Sequence, residues 1–319
     1  MPLLLVAALV FLAGLARFAF LELAPPGFYI DEAAISAQVI CLRQSGADLF
    51  GHHLPLFADV LGGGFATPAY LYSGVVWTSI FGDSVSSFRG LAAFYSVLFI
   101  GGTYLLGLRF WKSQPAAWLC ALAAALSPWG FQFARIAWDP GLAPAFSVWA
   151  FALLWVPESG NGKRSVWLQT FLGSVCLSLA AYTYPPLRVQ LAIMTPFALY
   201  LLFVRERRDW RRAAMFVAVA TVLSLPLLKM TLSGELQARF AMLSVFNPDY
   251  LRQFGEPSFG LGLLQLLKNF ASHFTPSYLI LSGDANLRHS TGSFGEWSWL
   301  DLFGFTVALV AFLKFAIGK

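Results

Sequence analysis

Apolar residues occur along this chain in long blocks separated by short polar punctuation. Runs at 2–22, 89–109, 115–133, 141–157, 165–183, 187–204, 212–230 and 299–317 each approach the roughly 20 residues an α-helix needs to cross a bilayer. A shorter run, PAYLYSGVVWTSIF at 68–81, lies between polar segments, and its length predicts an interfacial or re-entrant helix. Two longer intervals, 23–88 and 231–297, hold stretches with apolar residues at helical spacing, Glu32 to Leu42 and Leu261 to Phe274, as in helices that lie in the membrane surface. The pattern predicts an all-α, polytopic transmembrane helical bundle of about eight spans, a single domain over 1–319 with two long loops carrying interfacial helices. The opening MPLLLVAALVFLAGLARFAFL lacks a basic leader region and reads as a retained first span.

Composition agrees. The chain is 58% hydrophobic and 12% charged, with mean hydropathy +0.67. A soluble domain carries about twice that charge, so a soluble globule is excluded. Disorder is excluded by 31 Phe, 11 Trp and 10 Tyr. The net charge of +5 does not call for nucleic acid, because the positive-inside bias supplies it. With eight spans and Met1 in the cytoplasm, Arg109 and Lys112, Lys163 and Arg164, and the run RERRDWRR all fall in cytoplasmic loops. A crossing at 68–81 would export that run. The orientation puts the loops 23–88 and 231–297 outside, with two short turns at 135–139 and 184–188. The working surface is then extracytoplasmic, away from nucleotides and cytosolic cofactors. Cys41, Cys120 and Cys176 are scattered and form no ligand or disulfide pattern.

The polar residues facing outward are few. Asp31 and Glu32 open a helix at the membrane surface, where one carboxylate can face a cavity while the other caps or pairs. Arg135 and Asp139 sit four apart, either as an ion pair at a helix end or with Arg135 as a phosphate ligand. Tyr182, Tyr184 and Arg188 surround Pro185-Pro186, as interface anchors or as a second basic site for an anion. His273, Arg288 and His289 lie with Asp284 among small residues of the last loop, as in a binding loop, and their spacing gives no metal signature.

In order along the chain, several short motifs resemble integral-membrane glycosyltransferases of the GT-C superfamily, and among them bacterial relatives of protein O-mannosyltransferase and aminoarabinose transferase. They are Pro26-Gly27-Phe28-Tyr29-Ile30-Asp31-Glu32, Gly46-Ala47-Asp48-Leu49-Phe50-Gly51 with Leu54-Pro55, Phe81-Gly82-Asp83-Ser84 with Arg89, Ser127-Pro128-Trp129 with Arg135, Tyr182-Thr183-Tyr184, and Leu281-Ser282-Gly283-Asp284. The resemblance implies sugar transfer from a polyprenyl-phosphate donor to a lipid, glycan or protein acceptor, on the outer face of a bacterial inner membrane. It maps the family's first-loop acidic residue onto Asp31, with Glu32 beside it, and a second acidic residue onto Asp139. Some relatives use a divalent cation and others transfer without one, so the resemblance fixes no cofactor. Many relatives continue beyond the point that corresponds to Lys319, with further spans. The rival reading is a transporter or flippase for a lipid-linked anion, which also needs a basic site. Transporters place that site near the midplane between repeated halves, and no internal repeat is visible here.

Overall fold

The computed structural model describes residues 2–60, 65–155, 163–205, 209–233, 244–287 and 289–316. It is 72% helical. The helices are α1 (Pro2–Phe18), α2 (Ile30–Ser45), α3 (Pro68–Phe81), α4 (Val85–Trp111), α5 (Gln114–Leu126), α6 (Pro128–Phe133), α7 (Ala143–Leu154), α8 (Lys163–Ala180), α9 (Leu187–Tyr200), α10 (Trp210–Leu232), α11 (Pro248–Leu251), α12 (Phe259–Ser272) and α13 (Trp299–Ala316). A 3₁₀ turn, Asp139–Leu142, leads into α7. The only sheet among the described residues is a two-stranded antiparallel ribbon, β1 (Ala58–Asp59) with β2 (Phe65–Ala66).

Two helices, α4 and α10, are long and apolar enough to cross a membrane by length and composition alone, among the described residues. The other apolar runs yield shorter helices, and proline accounts for the clearest case. The run expected to span 115–133 divides at Ser127-Pro128, because Pro128 has no N–H to continue the ladder and starts α6 instead. The short run at 68–81 forms α3 alone, and the two amphipathic stretches become α2 and α12.

The chain divides into two compact units, Met1–Leu126 with Phe133–Leu225, and Ser127–Gln132 with Pro226–Lys319. In the first, α4 packs along α5 and α7, and α7 along α8. Small residues allow these approaches: a Cβ on Gly173 would come within 2.9 Å of the Leu154 side chain and 3.1 Å of the Ala150 carbonyl, so α7 and α8 touch through bare backbone. Buried and half-buried arginines tie these helices to one another and to α1 and α10. Arg109 of α4 donates to the Ala152 carbonyl of α7 and, at 2.8 Å, to Gln169 of α8, while Arg212 of α10 donates to Thr170 at 2.8 Å. Arg17, fully buried in α1, donates to Ser96 of α4 at 2.8 Å and to the Ala125 carbonyl at the end of α5 at 3.1 Å. In an apolar bundle these are the bonds that specify neighbours, since apolar packing alone hardly distinguishes helix from lipid.

The first loop is itself folded. Ile35, Val39 and Leu42 of α2 share a core with Tyr70 and Leu71 of α3, Phe88 and Leu91 of α4, and Leu142. Gln38, buried between them, accepts from the Leu49 N–H at 2.9 Å and donates to the Asp59 carbonyl. Asp48 closes the next turn by accepting from the N–H groups of Phe50 and His52 and pairing with the His52 ring at 3.0 Å. Backbone donors hold its carboxyl below the ordinary Asp range against the opposing effect of burial.

Candidate functional site

The neighbouring carboxylates Asp31 and Glu32 have separate fates. The N-cap of α2 is Tyr29, and its N–H is taken at 3.0 Å by Glu32 three residues on. Glu32 also forms a fully buried ion pair with Arg89 of α4, Nε to Oε1 at 2.9 Å and one terminal nitrogen to Oε2 at 2.8 Å. The remaining donors of Arg89 reach the carbonyls of Leu21 at 2.7 Å, Pro25 at 2.8 Å and Gly27 at 2.5 Å. Glu32 Oε1 accepts once more, from the Ala137 N–H at 2.8 Å. A single ion pair thus pins the chain entering α2, the first turn of α2, and the turn that leads to Asp139. With both its oxygens engaged, Glu32 is a scaffold for the site. Asp31 is half-buried on the same turn.

Asp139 opens the 3₁₀ turn before α7 and is 5% exposed. Its Oδ2 accepts from the Thr67 N–H at 3.0 Å, while Oδ1 is buried without a hydrogen-bond partner. Burial pushes its carboxyl up to about 7, and the charge of Asp31 adds to the shift against the hydrogen bonds from Thr67. Asp31 and Asp139, far apart in sequence, therefore share one electrostatic environment. Thr67, itself fully buried, also donates from its hydroxyl to the Thr183 carbonyl at 3.0 Å, and Ala69 N–H reaches the Tyr182 carbonyl at 3.2 Å. Through these bonds the start of α3 joins the turn around Asp139 to the turn between α8 and α9.

That last turn carries Tyr182, Tyr184 and Arg188. The Tyr182 hydroxyl donates to the Leu223 carbonyl of α10, and its ring stacks on Phe57 at 6.3 Å, so Tyr182 is built into the wall. Tyr184 meets Trp138 edge-on at 6.4 Å. Arg188 donates from Nε to the Ala181 carbonyl at 3.3 Å and lies over the Phe57 ring at 5.2 Å. Its two terminal nitrogens have no hydrogen-bond partner among the described residues. It is the cation of the site best placed to take an anion.

Arg135 is not. The expected alignment of Arg135 and Asp139 on one helical face does not form, because α6 stops at Phe133 and the chain turns. The guanidinium of Arg135 donates to four carbonyls at the end of α1, those of Ala16 and Ala24 at 2.9 Å, Arg17 at 3.1 Å and Phe20 at 3.3 Å. These include the orphan acceptors of a helix C-terminus, which a cation satisfies well.

The second unit holds His273 and His289. His273 follows α12 and its Nδ1 is 2.6 Å from the Asn269 carbonyl. His289 pairs with Asp284 at 2.8 Å, and Glu296 accepts from the Asp284 N–H at 2.9 Å. Backbone and His289 contacts hold Asp284 below the ordinary range, whereas burial raises Glu296. Arg288 lies outside the described residues. No group of three or more His, Cys, Asp or Glu side chains able to hold a metal occurs among the described residues.

This arrangement of helices and loops has solved counterparts. The crystal structure of ArnT from Cupriavidus metallidurans in the apo state superposes with a TM-score of 0.54 at 18% identity, over 86% of this chain and 50% of that one. The same protein bound to undecaprenyl phosphate gives 0.50 at 16% identity, over 86% and 51%. The chain shares the fold of these ArnT structures. The chain spans about half the length of the ArnT chains it matches. No protein-family model and no curated protein matches it.

Thr67, Arg89 and Phe57 stand in the site without having been expected there as site residues. Arg89 had a visible signal, a charge at the head of a long apolar run, which membrane helices retain only for a reason. Thr67 and Phe57 had none, since their partners lie on other elements.

Proposed function

We propose that this chain is an inverting glycosyltransferase that moves a sugar from a polyprenyl-phosphate donor to an acceptor hydroxyl on the extracytoplasmic side of a bacterial inner membrane, with eight crossings and Met1 in the cytoplasm. The observation that carries the reading is the convergence, within a GT-C-like fold, of Asp31 and buried Asp139 on turns that also lead to Arg188. One of the solved counterparts has undecaprenyl phosphate bound, which is the class of lipid proposed here for the donor.

In this mechanism Asp31 takes the proton from the acceptor hydroxyl as its oxygen attacks the anomeric carbon. The bond from that carbon to the phosphate oxygen breaks on the opposite face, and the lipid phosphate leaves with the electron pair. A phosphate leaves without being protonated, so one base suffices, unlike the two carboxyl groups of glycoside hydrolysis. Arg188 stabilises the departing charge with its terminal nitrogens. Replacing Arg188 with Ala should weaken donor binding by about 10-fold or more, the scale of one charge-assisted hydrogen bond of roughly 1.5–3 kcal/mol. A lipid-phosphate binding assay on the chain in nanodiscs reads this, and unchanged affinity would remove Arg188 from the site. The reading as a whole is tested by Asp31→Asn with labelled donor in proteoliposomes. Donor should still bind and transfer should stop. If unaltered lipid-linked donor instead crosses the bilayer without sugar transfer, the chain is a flippase.

A further inference from the structure

Asp139 has a feature that the single-base mechanism leaves unused. It is nearly inaccessible, Oδ2 is satisfied by the Thr67 N–H, and Oδ1 is buried with no partner. An ionised oxygen in that position lacks every compensating donor, and a protonated one lacks an acceptor. Either form calls for a partner atom at Oδ1 that the described residues do not supply.

The surroundings decide which. The titratable groups that act on Asp139 are Asp31 from α2 and Tyr70 from α3, and the Glu32–Arg89 pair meets the same turn at the Ala137 N–H. Tyr70 gives its proton to the Phe88 carbonyl at 2.7 Å, Arg89 is spent on Glu32 and three carbonyls, and α7 carries no titratable side chain. Arg135, earlier in the same turn, donates to the carbonyls of α1. Among the described residues no cation offsets the shift of the Asp139 carboxyl, while the carboxylate of Asp31 adds like charge. An anionic donor entering this environment makes a second ionised carboxylate more unfavourable still.

We propose that Asp139 takes part in donor binding as a neutral carboxylic acid, whose Oδ1–H donates a hydrogen bond to a non-bridging phosphate oxygen of the lipid donor. The inference rests on the phosphate donor of the reading above. Thr67 fixes which oxygen carries the proton: Oδ2 accepts from backbone, so the hydroxyl is Oδ1, the oxygen that awaits a partner. The neutral acid meets the phosphate where a second carboxylate would repel it, and Arg188 supplies the countercharge. With the carboxyl at about 7, the competent form is lost as pH rises through neutrality.

The test is equilibrium binding of a methyl prenyl phosphodiester to the full chain in nanodiscs. That probe carries one negative charge throughout pH 5–9, so the protein alone titrates. Wild-type affinity should fall about tenfold from pH 6 to pH 8 when only the neutral form of a group titrating near 7 binds. Asp139→Asn, which retains a neutral donor, should bind with nearly the same affinity at both pH values. Asp31→Asn should move the wild-type midpoint to lower pH by removing the neighbouring charge. Wild-type affinity that is flat or rises with pH overturns the proposal while leaving the donor reading in place, as does a folded Asp139→Asn protein that no longer binds. Absence of wild-type binding at every pH instead overturns the phosphate-donor reading itself.

Discussion

Replacing Asp31 with Asn should lower sugar transfer by about 10²–10⁴-fold, the contribution of a positioned general base. The loss should fall on turnover, with donor affinity kept, because the amide occupies the same volume but takes no proton. Asp31 is singled out from its neighbour by division of labour on one helical turn. Glu32 caps α2 through the Tyr29 N–H and pairs with Arg89, and the proposed mechanism gives the proton transfer to its neighbour Asp31. A variant with wild-type transfer would remove Asp31 from the chemistry.

Breaking the Arg89–Glu32 pair should have the largest effect on stability. Arg89→Leu leaves Glu32 ionised and unpaired in a site where both side chains are 1% exposed, and strips three carbonyls of their donor. Removal of one partner of a buried pair costs about 3–5 kcal/mol, whereas apolar replacement of both is often close to neutral. Arg89→Leu should therefore unfold at markedly lower temperature in nanodiscs than the double variant Glu32→Met/Arg89→Met. Activity should separate the two roles of the pair. The double variant regains stability without the bonds to Ala137 and the Leu21–Gly27 segment, so it should transfer sugar poorly, since the turn before Asp139 then loses its hydrogen bond to α2 and keeps only apolar packing against it. Transfer at the wild-type rate by a stable double variant would show that the pair supports the fold alone.

The sequence was most informative where local physics dominates. The run at 68–81 was bounded by its own polar flanks and became α3, and the periodicity of 32–42 and 261–274 reported α2 and α12. Average apolarity over 115–133 does not register the interruption at Pro128, where the helix divides. The site was legible in residue type more than in role. Arg135 looked like an anion ligand because it is a cation outside the expected cytoplasmic side. Its actual partners are carbonyls more than a hundred residues earlier, and no local pattern encodes them. The same distance hides the Arg89–Glu32 pair and the Thr67 bridge between Asp139 and Thr183. Asp139 itself was expected from resemblance, but its orphaned oxygen and raised carboxyl belong to burial, which only assembly of α2, α3 and α4 around the turn creates.

The central claim is that this chain transfers sugar from a lipid-linked phosphate. It is tested most directly by offering the full chain in proteoliposomes a panel of radiolabelled polyprenyl-phosphate sugars with a bacterial envelope extract as acceptor. The account predicts that at least one donor loses its label to acceptor or water, that free polyprenyl phosphate accumulates in step, and that Asp31→Asn abolishes both. Binding of donor without release of polyprenyl phosphate from any member of the panel would contradict it.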